Sequence, residues 1–455
     1  MLRVGAGAVD LTPPIGSQIA GQFHERTAEL VHDPLYAHAL VVDDGTTKAA
    51  LVGCDLLSFK RPTVLRAREL AAAATGIPAE NILISASHTH TGPRTADIFP
   101  MPHDAGYVAL LPRLLAGAVA QAARDLQPAE VGVGSGWEES GSHNRRFVKP
   151  DGTAHMHPPK GAPGFVGPEG PDDPEVGVLF ARGEGGRLVG AVVDYTSHPI
   201  VVGHERAVSA DYPGYLVRAI EAVKAAPGRV VFLNGAFANV CPIDVYDLTH
   251  REYGYAWAER VGNVVAAEAI RVIEKTDTTP DARVRVASRT LELAIRPIGE
   301  EQVEAARTLL ARGEPRFTPG MTADEAADYR ERVYASELLQ VAEERHRSPT
   351  VQAEVQVVAV GDAAFVAIPG EYFVEFGLEI KRRSPFLFTY IAGNANGCVG
   401  YIPTRRAFAG GGYETRLARS SKLVPEAGEQ LLEAALRLLD QVHPNRPPVG
   451  RTDGT

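Results

Sequence analysis

Apolar and polar positions fall into blocks whose period changes along the chain. Tyr36 to Val42 and Lys48 to Val52 are apolar runs on either side of Asp43-Asp44-Gly45. A glycine there supplies the positive φ of a tight turn, so the pattern predicts a hairpin. Thr63 to Ala74 carries Val64, Leu65, Ala67, Leu70 and Ala71 at helical spacing and stops before Gly76 and Pro78, which predicts a helix. Ile82-Leu83-Ile84 is a β-favouring run that ends in Ser87-His88-Thr89-His90-Thr91-Gly92-Pro93. Leu188 to Tyr195 and Arg229 to Leu233 read as buried strands, with a helical pattern over Tyr215 to Ala225 between them.

Further on, Gly299 to Arg347 turns charged and Ala-rich, and Thr322-Ala323-Asp324-Glu325 has the form of a capping box. This predicts an inserted helical pair near 300–347 on the outside of the molecule. Strict alternation over Val351 to Val357, and the run Ala364 to Ile368, predict two more strands. Glu429 to Leu439 predicts a closing amphipathic helix. Lys149 to Asp173, with six prolines and several glycines, predicts a long surface loop. Strands alternating with helices place the chain in the α/β class, with mixed β-sheets flanked by helices. No internal repeat is visible. Residues 1–442 read as one domain, and 443–455, with three prolines and two glycines, as a frayed tail.

Composition narrows the function. With 455 residues, 45% of them hydrophobic, the chain can bury a large core. Its 46 basic and 56 acidic side chains give a formal net charge of −10 without long runs. Nucleic acid is excluded as a partner, because phosphate binding needs a concentrated basic surface. Cys54, Cys241 and Cys398 are too few and too scattered for a disulfide framework, so buried reduced thiols are expected. No signal-peptide stretch opens the chain and no segment reads as a membrane span, so a cytoplasmic protein is expected.

Four places put ligand-capable side chains next to Gly or Pro directly after apolar runs: His88 and His90, His198, Glu371, and Tyr401. Side chains two apart on extended backbone point the same way, so His88 and His90 can face one pocket. Two imidazoles, a carboxylate and a further oxygen donor suit Zn²⁺. Spacing alone leaves other readings open, because the residues are scattered and no HExxH-type signature is present. Asp55 and Asp194, also at strand ends, are candidates for orienting the imidazoles. His103, His155, His157 and His204 lie in loops without a partner by motif and are expected to be solvated. Cys398 is expected to be a small core thiol.

Gly5-Ala6-Gly7-Ala8-Val9-Asp10-Leu11-Thr12-Pro13-Pro14, His32-Asp33-Pro34-Leu35-Tyr36-Ala37, Ser87 to Pro93, His198-Pro199, Pro369-Gly370-Glu371 and Gly400-Tyr401-Ile402-Pro403-Thr404 follow one another in this order. In these segments the chain resembles the catalytic N-terminal domain of the neutral/alkaline, non-lysosomal ceramidase family, from about residue 2 to about residue 440. The resemblance implies that domain's fold and a zinc site of His88, His198, Glu371 and Tyr401. Tyr413 follows Tyr401 by twelve positions and precedes Glu414, matching the family's second active-site tyrosine. Asn144-Arg145 matches an Asn-Arg pair that brings an arginine to the pocket, and His90 matches the non-ligand partner of the first histidine.

Two departures stand out. The family's active-site serine falls at Gly235, and the Gly-Gly that often follows the family's Gly-Pro is Arg94-Thr95, a cation expected near the entrance. Membrane ceramide is therefore not the expected natural substrate.

What the resemblance implies is a zinc-dependent hydrolase of an amide or ester bond in a small-molecule substrate. The ion lowers the pKa of water and polarises the acyl carbonyl, Arg145, Tyr401 and Tyr413 stabilise the oxyanion, and His90 donates a proton to the leaving group. Two alternatives keep the same residues. One is a zinc lyase or isomerase of a sugar acid, with His90 as base and with Arg94 and Arg145 on the carboxylate. The other is a non-catalytic receptor on the same fold.

Overall fold

A computed structural model describes residues 1–443. Apart from His443, the expected tail lies outside the described residues. Three sheets carry the architecture. The first runs in the order Ile82–Ala86, Lys48–Cys54, Tyr36–Asp43, Arg3–Asp10, Gln127–Pro128. The second runs Val230–Asn234, Leu188–Tyr195, Glu175–Arg182, Glu130–Trp137, and the third Val284–Ala294, Thr350–Val360, Ala363–Ala367, Phe388–Ala392. The class is mixed α/β, with the hairpin paired as expected from Asp43 opposite Lys48.

Each sheet contains one parallel pair joined through a helix. Lys48–Cys54 reaches Ile82–Ala86 through Arg61–Thr75, Leu188–Tyr195 reaches Val230–Asn234 through Asp211–Lys224, and Ala363–Ala367 reaches Phe388–Ala392 through Val374–Arg383. No sequence repeat announces this threefold use of one motif. Its consequence is spatial, because ligands bind outside the carboxyl ends of parallel strands. His88 follows the second strand of the first pair, His198 the first strand of the second, and Glu371 and Asn394 the two strands of the third.

The sheets are held face to face by residues too small to keep them apart. A Cβ on Gly53 would stand 2.2 Å from the Phe232 carbonyl oxygen, and one on Gly177 2.2 Å from the Tyr390 ring. The strand ends are knitted by hydrogen bonds. Ser85 Oγ donates to Gly393 O (2.7 Å), the Gly393 N–H to Asn234 O (2.8 Å), and Asn234 Nδ2 to both Ser87 O (2.9 Å) and Ser197 O (3.0 Å).

Several expectations change. The alternation over 351–357 predicts a strand and the strand is there, but the last eight residues of Thr350–Val360 are buried on both faces. Its polar members are paired inside: Glu354 accepts from Arg61 (2.8 Å) and Arg68 (2.9 Å), and Asn396 Nδ2 donates to Gln356 Oε1 (2.8 Å). The stretch 149–173 is not wholly loop, since Ala154–Met156 and Gly167–Pro168 pair with Arg146–Val148 in a small sheet. One helix, Ala105–Arg124, is long and apolar enough to cross a membrane, contrary to the sequence reading. It carries Pro112 and lays Leu111, Leu115, Ala118 and Val119 onto the first sheet's core.

The helical pair is present as Glu300–Leu310 and Ala323–Arg347, the second opened by the Thr322/Glu325 capping box. It is not merely external. Tyr329 and Val333 pack with Phe99 and Phe23, and the Tyr329 hydroxyl donates to Phe23 O (2.5 Å). The insertion thus forms part of the wall above the strand ends.

Candidate metal centre

The strand Ile82–Ala86 stops before the two histidines, and His88 itself is left-handed, with φ of 73°. The extended geometry that would align His88 and His90 is therefore absent, and the rings converge by a different route. Held non-glycine residues in this region carry local strain and cluster at functional sites. The His88 N–H donates to Leu56 O (2.9 Å), and its Nδ1 lies 2.8 Å from Leu57 O. Fixing the proton on Nδ1 leaves a lone pair on Nε2. That atom stands 3.4 Å from Glu371 Oε2, a buried carboxylate oxygen with no hydrogen-bond partner.

Strand register delivers Glu371 and Tyr401 together. They are direct partners in the short parallel pair Glu371–Tyr372 and Tyr401–Ile402, so both side chains leave the same face. His198 is placed by the donation of its N–H to Val240 O (3.1 Å), beside the Asn144 and Val240 partnership that also seats Arg145. The His88 and His198 ring centroids are 4.5 Å apart, and the ligand-capable atoms of His88, His90 and His198 lie within 4.8 Å of one another. His90 is thus as close to the centre as the two expected ligands. Its Nε2 is 3.2 Å from His198 Nε2, and its Nδ1 2.9 Å from Gly21 O.

Arg145 is fully enclosed. It donates to Glu414 Oε1 (3.0 Å) and the Tyr401 hydroxyl (3.2 Å), and Nη1 lies 3.1 Å from His198 Nδ1. A guanidinium has no lone pair to accept with, so His198 Nδ1 accepts and Nε2, 3.2 Å from His90 Nε2, carries the ring proton; for His198 to ligate an ion, the Arg145 contact or that proton must give way. Glu414 in turn bridges Arg145 and Arg146, and Glu169 takes the other side of Arg146. Burial alone would lower the Arg145 pKa, but Tyr401 and Glu414 outweigh it and hold the guanidinium above its ordinary value.

The other titrations fit a centre short of positive charge at the lone pairs. Burial lowers His88 to about 3, with the Leu57 hydrogen bond opposing and Arg145 assisting. Burial also takes His90 and His198 well below the ordinary imidazole value, and raises Glu371 to about 7. Neutral imidazoles facing a carboxylate across a short gap form a donor set for a soft-to-borderline dication. The orphaned Glu371 Oε2 and the His88 Nε2 lone pair fit such an ion, and Tyr401 stands beside them as a further oxygen donor.

A cleft of about 260 Å³ opens onto this centre, lined by His90, Arg145, His198, Tyr401 and Tyr413, with Phe23, Phe99 and Met156 as apolar wall. Tyr413 meets Tyr401 edge-on at 5.6 Å between centroids. All seven sequence-predicted site residues are therefore brought together.

The predicted orienters are not. Asp55 accepts from the Tyr36 N–H (2.9 Å), and Asp194, whose Oδ2 has no partner, lies in the field of Lys381, Asp173 and Glu175. Backbone carbonyls of Leu57 and Gly21, together with Arg145, take that task; Asn394 Nδ2 donates to the same Leu57 carbonyl (3.2 Å) and packs 2.8 Å from His88 Nδ1. A carbonyl leaves no trace in sequence.

His157 was expected in solvent but lines the cleft, and burial lowers it to about 3. Nothing in its Gly- and Pro-rich segment signals this. Exposed His204 lines the same cleft. Arg94 is buried rather than displayed at the entrance, 4.0 Å from Glu25. Gly235 leaves no room for the family serine, since a Cβ there would lie 2.0 Å from Thr196 Oγ1. All three cysteines are free; Cys54 and Cys241 are buried, and Cys398 is half-buried beside Glu371 rather than in the core.

No family model matches the sequence, and no curated protein matches it either. Among solved structures, a ceramidase complexed with C2 superposes with a TM-score of 0.71 at 17% identity, covering 96% of this chain and 74% of that one. The neutral ceramidase from Pseudomonas aeruginosa superposes equally well, with a TM-score of 0.71 at 18% identity and the same coverage. The chain therefore has the fold of the neutral ceramidase catalytic domain.

Proposed function

We propose that this protein is a zinc-dependent hydrolase of an acyl C–N bond, with His88, His198, Glu371 and Tyr401 as ligands. The observation that carries the reading is the 3.4 Å approach of the His88 Nε2 lone pair to the unpartnered, buried Glu371 Oε2. Two acceptors hold that position only with a cation or a proton between them. When bound, the zinc ion supplies Lewis-acid polarisation of the acyl carbonyl and a lowered pKa for water.

The chain's own residues do the remainder. Arg145 and the phenols of Tyr401 and Tyr413 line one wall of the cleft and present positive charge and O–H donors where negative charge builds on the acyl oxygen. His90, fixed through Nδ1 to Gly21 O, keeps Nε2 as its exchangeable site. Burial holds that imidazole neutral at rest, so it accepts a proton first and then delivers it to the leaving nitrogen. Phe23, Phe99 and Met156 give the same cleft an apolar wall.

The fold of the solved ceramidases supports an amide as the scissile bond. The lyase reading needs Arg94 and Arg145 on one carboxylate, yet Arg94 lies beside Glu25 and Arg145 is taken up by Glu414, His198 and Tyr401. A panel of N-acyl amines and esters, assayed with protein of known zinc content, tests the proposal. Release of free carboxylate by zinc-loaded protein, lost on chelation, is expected. Stoichiometric zinc-free protein that turns over the panel equally well contradicts it.

A further inference from the structure

Next to the cleft lies a second, wider depression of about 690 Å³, and His204 lines both. The insertion supplies one wall through Pro315, Arg316, Phe317 and Tyr329, and the segment His24-Glu25-Arg26 supplies the other. Phe317 stacks on His24 at 4.1 Å between centroids and 14° between planes, which joins the two walls.

The charge here runs against that of the whole chain. A protein of formal net charge −10 gathers His24, Arg26, His204, Arg206 and Arg316 around one bowl, with Glu25 as its single lining carboxylate. Arg206 has an exposed partner in Glu29 (3.0 Å). Among the described residues, neither Arg26 nor Arg316 has a carboxylate within 4.0 Å. Arg26 is 4% exposed and is bound by carbonyls alone, of Ala20, His90 (2.6 Å) and Glu205 (2.8 Å), leaving Nε buried without a partner. Behind Glu25, Arg94 is 3% exposed with Nε and Nη1 both unpartnered.

Buried positive charge of this kind is costly unless an anion compensates it. Because Arg26 also donates to the His90 carbonyl, an anion in the bowl is tied to the residue that works at the cleft. A basic funnel on an acidic protein also steers anions to one place.

We propose that the substrate carries an anionic group, a carboxylate or a phosphate, which the bowl of Arg26, Arg206, Arg316, His24 and His204 binds while the acyl bond occupies the inner cleft. This rests on the hydrolase reading for the bond that is cleaved, and on the bowl alone for the anion.

Two probes separate the claims. The zinc-loaded protein is given adipic acid mono-4-nitroanilide and its uncharged terminal amide. The account expects a preference for the acid in kcat/KM that falls about tenfold in Arg206→Ala/Arg316→Ala, reverses in Arg316→Glu and shrinks with added salt. Arg437→Ala, on a different face, keeps the wild-type preference. Equal kcat/KM for the two anilides, or a preference untouched by the bowl variants, overturns the proposal.

Calorimetric titration with adipate and with inorganic phosphate reads the bowl without turnover. Binding weakened about tenfold in the double variant sustains the anion site even if neither anilide is cleaved, in which case it is the hydrolase reading that fails. The tighter of the two ions identifies carboxylate or phosphate as the group. No binding of either overturns the site.

Discussion

The metal centre and the bowl above it are built in opposite ways. The centre is fixed by backbone: three sheets place their strand ends within hydrogen-bond reach of each other, and glycines at Gly53 and Gly177 let them close. Its free valences include the His88 Nε2 lone pair and the unpartnered Glu371 Oε2 that faces it. The bowl is lined by exposed Arg206 and Arg316, buried Arg26 and an inserted helical pair, and its cations outnumber its one lining carboxylate. Packed, over-determined elements make a site of fixed geometry, whereas an exposed rim of charges gives selection and steering. On the proposed reading, chemistry and specificity occupy different parts of the molecule.

That division can be broken by substitution, and the largest effects should come from the centre. His88→Ala and Glu371→Ala should each lose stoichiometric zinc, with hydrolysis at background, as read by metal analysis and turnover of an N-acyl probe. Arg145→Met keeps the fold's packing while removing the charge beside Tyr401, and should lower kcat about 10²-fold with a smaller change in KM. Asn394→Leu removes a group that touches His88 Nδ1 without offering a ligand of its own. Zinc affinity should fall by roughly ten- to a hundredfold in a competitive chelator titration.

Stability changes sharpen the comparison further. Gly235→Ser should cost about 1–3 kcal/mol in denaturant unfolding, because its Cβ meets Thr196 Oγ1, and it should not improve activity. Asp211 is fully buried beside Asp33, and burial raises its carboxyl to about 7 against 3.8 unfolded. The folded state then holds a proton that the unfolded state releases, so stability falls as pH rises from about 4 to about 7. Asp211→Asn, which tolerates the φ of 58°, should flatten that fall in melting curves taken across the range.

The legibility of the sequence follows the same boundary. Strands, the hairpin and the capped helix 323–347 were readable because apolar period and turn chemistry are local signals. The four ligand candidates were readable because each stands beside Gly or Pro at the end of an apolar run, and the resemblance added Arg145 and Tyr413. What was not readable is what needs three dimensions. Orientation of the imidazoles falls to carbonyls of Leu57 and Gly21 rather than to Asp55 and Asp194. His157 enters the cleft through a φ of 48° in a Gly- and Pro-rich segment. Arg94, read as a cation at the entrance, is folded beneath Glu25, while the rim charges of Arg206 and Arg316 come from segments with no motif at all.

The central claim is that one divalent ion satisfies the facing lone pairs of His88 and Glu371. An anomalous difference map recorded on either side of the zinc absorption edge, from crystals grown with one equivalent of zinc, tests it most directly. The account predicts a single strong peak bounded by His88, His198, Glu371 and Tyr401. A peak held by the three imidazoles without Glu371, or no peak between these side chains, contradicts it.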